Sequence, residues 1–252
     1  KERGFTLINP SWATFKLGTF LRGEKEKRMY LQIFKPRGIS GLQKTFLLLG
    51  HHKVTENAAA GRNVPLGSVV LTHGLGNMFK DIAHDREYLA DKFRDMLRLD
   101  DIARIRALGP LGVGVHVRLG DFPSRHRVPI EWYVRTIEKI RRVTGVEVPV
   151  SVVSDGTDAE LADILRMPRV RRLRLGAVGE LFALAQSKII LASDSTFSAW
   201  AAFLGHVPVL WGKRDASLET IFADNTINEI ASADGELSSR AQEYLRRSFP
   251  LK

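Results

Sequence analysis

The sequence predicts an α/β protein with a parallel, doubly wound sheet in its C-terminal half. Two observations carry that expectation. From about residue 113 onward, short β-branched runs alternate with segments of helical spacing, the pattern of parallel strands joined by crossover helices. Ionisable and hydroxyl residues also gather directly after three of the strand candidates, the end at which such sheets bind ligands. At 252 residues the chain is long enough to bury a substantial core, as one large domain or two modest ones.

Taken in order, residues 9–12 read as a turn, 24–28 as a charged surface stretch and 51–67 as a loop rich in small and polar residues. A helical pattern runs over 82–99, and Gly109-Pro110 punctuates the chain before the first strand of the C-terminal half. Strands are expected over 113–117, 149–153, 170–175, 189–192 and 207–211, with helices over 130–143, 158–165, 179–186 and 197–204. The helix at 130–143 is placed to bridge two lobes, which puts a domain boundary between 125 and 148.

Composition narrows the chemistry. With 44% hydrophobic and 26% charged residues the chain has the make-up of a globular protein, and no apolar run approaches the roughly 20 residues that span a bilayer. The absence of cysteine excludes disulfides, thiolate metal sites and cysteine nucleophiles. A net charge of +10 favours polyanions, phosphorylated ligands or anionic membrane surfaces without choosing among them. The Arg135, Lys139, Arg141, Arg142 and Arg169, Arg171, Arg172, Arg174 clusters read mainly as solvated surface.

Three stretches carry candidate chemistry. In "GVHVRLGD", strand alternation puts His116 and Arg118 on one face, and a planar guanidinium matches the oxygens of a diphosphate. The competing reading is an Arg118-Asp121 ion pair with His116 satisfied in the core. In "SDSTFSAW", residues 193–200, hydroxyls before a helix form either a phosphate cradle or a plain N-cap at Ser195 or Thr196. In "VVSD", Asp155 accepts hydrogen bonds from a guanine edge or a ribose, or else caps a turn. Gly74 and Gly76 do not keep dinucleotide-binding spacing, His51-His52 do not form a metal set, and no nucleophile elbow surrounds any serine.

Together and in this order, the three stretches resemble the α-1,2-fucosyltransferases of glycosyltransferase family 11. Their wider group includes the α-1,6- and protein O-fucosyltransferases. The family pattern is a strand ending His-x-Arg-Arg-x-Asp, a Ser-Asp after the next strand, and Ser-Thr-Phe-Ser-x-Trp opening a helix. The likeness spans roughly residues 112–211, with a weaker echo over 79–97.

The resemblance implies a GT-B arrangement of two Rossmann-like lobes: residues 1–128 as an incomplete acceptor-side lobe and 129–252 as the nucleotide-sugar lobe. It implies that Arg118 binds the donor β-phosphate and that His116 and Asp155 contact guanine. Ser195, Thr196 and Ser198 would hold the phosphates, with Phe197 in the same substrate-binding segment and, like Trp200, mainly supporting packing. Asp121 and His126 are the candidate bases. The implied reaction is an inverting transfer of fucose from GDP-fucose to a glycan hydroxyl, the 2-OH of a galactoside, with neither cofactor nor metal.

Two departures stand out. Leu119 occupies the place of the family's second arginine. "GLGNMF" at 74–79 lies too close to the strand to serve as the family's opening glycine segment, so the first strand and helix of the family are expected to be missing. The expected partners are a nucleotide-sugar donor and a glycan acceptor. Trp12, His51, His52 and His73 either line an acceptor cleft or serve as surface and core.

The expected location is the cytoplasm, at the periphery of an anionic inner membrane, or the Golgi lumen for a eukaryotic fragment. The alternatives are a transferase-like protein that binds GDP without transferring sugar, and a basic α/β protein that binds nucleic acid through residues 166–174.

Overall fold

The computed structural model describes residue 8 and residues 38–39, 41–55, 64–71, 79–109, 111–120 and 123–250. The chain forms two compact units, residues 1–76 with 96–98 and residues 77–95 with 99–252. The division expected at 128/129 therefore falls inside the second unit. The reason is the strand Leu111–Val117, which is hydrogen-bonded on both sides within the large sheet and cannot be parted from it.

In the first unit a helix, α1 (Gly41–Gly50), precedes two short parallel strands, β1 (Lys53–Thr55) and β2 (Val69–Leu71). The β-branched pairs Val54-Thr55 and Val69-Val70 form this ribbon, β1 inside the stretch 51–67 expected to be loop and β2 just after it.

The second unit opens with α2 (Arg86–Met96), all but its last residue, and α3 (Leu99–Ala107), where a single helical pattern was expected over 82–99. The sheet elements follow: β3 (Leu111–Val117), α4 (Ile130–Thr144), β4 (Val150–Ser154), α5 (Ala162–Leu165), β5 (Val170–Arg172), α6 (Gly176–Leu184) and β6 (Ser187–Ala192). After them come α7 (Thr196–Gly205), β7 (Val209–Trp211), β8 (Asn228–Ile230) and α8 (Ser239–Ser248). All six strands are parallel, in the spatial order β5-β4-β3-β6-β7-β8. The α/β, doubly wound class read from the sequence is the observed one.

Burial explains the order. Every residue of β3 is buried, whereas the edge strands β5 and β8 have none that is. Strand periodicity divides β3 between two helical layers. Val113, Val115 and Val117 join the core formed with Tyr133, Ile137 and Ile140 of α4, Ile164 of α5 and Leu245 of α8. On the opposite face, a Cβ at Gly114 would lie 2.4 Å from Ser187 Oγ and 3.0 Å from Leu184 Cδ2, so only glycine admits the close approach of α6.

Helix α4 packs on α5 and α8 and buries Trp132, Tyr133, Thr136, Ile137, Ile140 and Thr144. It is a crossover within this unit rather than the expected bridge between lobes. On the α7 side, Phe79 and Phe93 pack their rings against Trp200 at 5.0 and 5.5 Å. Trp200 is thus a packing residue, and residues 79–95 belong with the sheet.

Candidate functional site

The chain crosses from β5, at one edge, to β6 on the far side of β3, so the direction of winding reverses between β3 and β6. In open α/β sheets the crevice outside the carboxyl ends of the strands at such a reversal is where ligands bind. Register brings the three strand ends to one level there: His116 pairs with Ala192 of β6, and Val117 pairs with Ser154 of β4. The loops that start with Arg118, Asp155 and Ser193 consequently leave the sheet side by side.

The structure does not turn His116 and Arg118 toward one another. Nδ1 of His116 lies 2.6 Å from Ser198 Oγ and 3.2 Å from Ser193 Oγ, on the β6 side. The ring stacks at 4.9 Å from that of Phe197 and is only 5% exposed. Arg118 follows the last paired residue of β3 and forms an ion pair with Asp155 on the β4 side. The paired strand ends at Val117, so Arg118 lies beyond the ladder whose alternation implied a shared face with His116. His116 thus takes the core role, and among the described residues Arg118 pairs with Asp155, while the alternative partner Asp121 lies outside them.

Burial lowers the His116 pKa to about 4. Asp155 pulls it up and Arg118 pushes it down, and these smaller effects oppose each other. The imidazole is therefore neutral near neutral pH and acts as a hydrogen-bonding spacer. The Tyr133 hydroxyl donates to the His116 carbonyl at 3.2 Å, and burial raises the Tyr133 pKa above its usual value despite a hydrogen bond with Ser193. Tyr133, Ser193, Ser198 and His116 form one buried polar network under the strand ends.

Asp155 is the hinge of the other half. Its Oδ1 accepts from the Leu119 backbone N–H at 2.7 Å while Oδ2 pairs with Arg118. A carboxylate offers about four acceptor positions, so two bonds leave it able to accept more. Arg172, expected on the surface, is largely buried and donates to the carbonyls of Ser154 and Gly156 at 3.0 and 2.6 Å, as well as to Asp158. It thereby pins the loop that carries Asp155. Leu119 is 7% exposed and belongs to the hydrophobic core. A Cβ at Gly156 would come within 2.6 Å of Leu119 Cδ1, so the leucine fills the space over the glycine.

Ser195 caps α7, its hydroxyl accepting from Phe197 N–H at 3.2 Å. Thr196 is exposed at the first turn, where the helix dipole favours an anion. Ser198, in contrast, is fully buried and spends its hydroxyl on His116 and on the Ser193 carbonyl, so it presents no hydroxyl to a phosphate. Asp194 accepts from Asp215 N–H at 2.9 Å and ties the loop after β6 to the one after β7.

His126 sits in a 3-10 turn, Ser124–His126, where Nε2 accepts from Arg125 Nε at 2.9 Å. Asp121, Trp12, His73 and the glycine segment 74–78 lie outside the described residues. Among the described residues no group of three or more His, Asp or Glu is placed to hold a metal ion, and no helix is long and apolar enough to cross a membrane. Two surface clefts share His206, one lined also by Arg86, Phe222 and Asp224 and the other by Pro208, Thr226 and Tyr244; His206 and Pro208 precede β7 and Asp224 and Thr226 precede β8, away from the carboxyl ends that form the site.

Sequence reasoning missed Tyr133 and Arg172. For Tyr133 the available signal is its place with Ile137, Ile140 and Thr144 on one helical stripe. For Arg172 there is none, because only the fold brings it beneath the 154–156 loop.

No protein-family model and no curated protein matches the chain. Among solved structures it is similar to the fucosyltransferase NodZ from Bradyrhizobium, at 24% identity and a TM-score of 0.37, covering 46% of this chain and 46% of that one. It is similar also to the NodZ α-1,6-fucosyltransferase soaked with GDP-fucose, at 19% identity and a TM-score of 0.43, over 71% of this chain and 77% of that one. The E. coli heptosyltransferase WaaC with ADP-2-deoxy-2-fluoro heptose follows at 14% identity and a TM-score of 0.36, over 55% and 42%. The chain thus spans about half the length of the first of these structures.

Proposed function

We propose that this chain binds a nucleoside diphosphate sugar at the carboxyl ends of β3, β4 and β6, and that it transfers fucose from GDP-fucose to a glycan hydroxyl with inversion. The observation that carries the reading is the common level at which Arg118, Asp155 and the Ser195-Thr196 helix start leave the sheet, at its winding reversal. These groups occur in the order of the fucosyltransferase pattern.

In this reading Arg118 and the first turn of α7 hold the donor phosphates. As the acceptor oxygen forms its bond to the anomeric carbon, the bond from that carbon to the β-phosphate oxygen breaks and GDP departs with the electron pair. Arg118 and the α7 backbone N–H groups meet that growing charge, a preorganised stabilisation for which a single donor is typically worth about 10²- to 10³-fold in rate. Asp155 orients Arg118 and accepts from the guanine edge with its remaining lone pairs. His116 supports the wall through Ser198. Asp121 or His126 takes the acceptor proton. The two-lobed GT-B arrangement, the galactoside 2-OH as acceptor and independence from metal belong to the same proposal.

The test is thermal stabilisation by GDP against ADP and UDP, followed by GDP release from GDP-fucose with β-galactoside acceptors. GDP-selective stabilisation that disappears in Arg118→Ala, together with acceptor-dependent release, is the expected result. Stabilisation without release makes the chain a GDP binder that does not transfer sugar. Unchanged GDP affinity in Arg118→Ala refutes the site. Salt-sensitive binding of arbitrary DNA or RNA without any GDP response replaces it with a nucleic-acid role.

A further inference from the structure

Charge is divided unevenly along the chain. Residues 1–76 hold 12 Lys and Arg against 4 Asp and Glu, which accounts for eight of the ten net positive charges. The described residues of the first unit include Lys44, Lys53 and Arg98 and contain no Asp or Glu at all.

Exposed apolar surface is concentrated in the same place. Helix α1 buries none of its residues, and its Leu42, Phe46 and Leu49 are 77%, 70% and 80% exposed. Their i, i+4, i+7 spacing sets them on one stripe. Leu66, fully exposed, tips the turn before β2, and the next residue, Gly67, lies beside the His51 ring just past the end of α1. Four of the seven exposed large apolar side chains among the described residues thus fall in this unit, which supplies 29 of the 195 described residues. A ten-residue helix is marginal in water by itself and draws its stability from a surface that covers its apolar face.

We propose that this face of the first unit docks on an anionic phospholipid membrane. Leu42, Phe46, Leu49 and Leu66 enter the boundary between headgroups and acyl chains, while Lys44 and Lys53 meet lipid phosphates. Apolar residues on one stripe, an excess of cations and a lack of acids are what interfacial binding needs. A nucleic acid would answer the charge but not the leucines, since bases stack on aromatic faces and the stripe has only Phe46. The attachment is shallow and reversible, and it does not depend on the sugar-transfer reading.

The test is co-sedimentation of the full chain with vesicles of phosphatidylcholine, alone or mixed with phosphatidylglycerol. Binding is expected to be at least about tenfold tighter to the mixed vesicles, and to weaken as salt shortens the screening length from about 8 Å toward 3 Å. Phe46→Ser with Leu49→Ser should lower partitioning by about tenfold or more. Lys44→Glu with Lys53→Glu should lower it by at least about fivefold per position.

Phe46→Trp keeps the face intact and serves as a positive readout, its added emission being quenched by lipids brominated along the acyl chain. Absence of binding to the mixed vesicles, or binding indifferent to the serine variants, overturns the proposal. So does self-association through α1, seen as a concentration-dependent dimer that the serine variants abolish.

Discussion

Acidification should expose the buried His116 as a liability. The folded protein holds this imidazole at a pKa of about 4, chiefly by burial, against an ordinary value of 6.5. Because the folded value is depressed, nothing is lost while both folded and unfolded chains keep the ring neutral. Stability falls only as the pH drops below 6.5, where the unfolded chain takes up a proton that the folded one refuses, and the loss is complete below the folded value.

A difference of about 2.5 units corresponds to about 3 kcal/mol in full, of which about 2 kcal/mol is gone by about pH 5. The assay is urea unfolding of wild type and His116→Gln between about pH 8 and pH 4. The glutamine cannot titrate, so the stability gap between the two proteins should shift in its favour by that amount as the pH falls. Equal pH slopes in the two proteins refute the argument, as does a His116 ring resonance that titrates near 6.5.

Two further substitutions probe the candidate site. Leu119→Arg installs the arginine of the fucosyltransferase pattern but places a cation in the core over Gly156, and should cost on the order of 3 kcal/mol in urea unfolding. A stable variant with tighter GDP binding would show instead that the position faces the donor. Ser195→Ala should remove about 1 kcal/mol with the α7 cap. Ser195→Asp should keep the cap and yet abolish thermal stabilisation by GDP through charge repulsion, whereas equal GDP stabilisation in both variants would move the phosphates away from α7.

The fold was legible where residues are buried on both sides. The core strands 111–117, 150–154 and 187–192 are nearly continuous apolar runs, and each was located to within two residues of its observed start. Edge strand β8 was not, because Asn228-Glu229-Ile230 has neither the length nor the pattern of a strand and is held only by its pairing with β7. Helix α8 also escaped notice, since its polar outer face masks a stripe that only Ala241 and Leu245 carry inward. The helix expected at 158 begins as a turn in which Thr157 and Glu160 bond one another's backbone N–H groups, and regular helix starts four residues later.

Within the site, residue types announced where polar groups would gather but not how they would pair. Alternation placed His116 and Arg118 together, and the pairing of Arg118 with Asp155 depends on where β3 stops rather than on spacing. Ser198 illustrates the same limit: a hydroxyl one turn into a helix reads as available until the partner strand delivers a histidine to it.

The placement of β3 between β4 and β6 also fixes when the site can exist during folding. Arg118 finds Asp155 37 residues away, and His116 finds Ser198 across 82 residues. Parallel pairing demands that the crossover from β3 to β4 close before the first contact forms and that β6 dock on β3 before the second does, and contacts so distant along the chain are slow to assemble. A nascent chain released only through β5 would hold Arg118 and Asp155 but neither β6 nor α7, and the wall built from Ser193 to Ser198 would be absent until the last third of the molecule had docked.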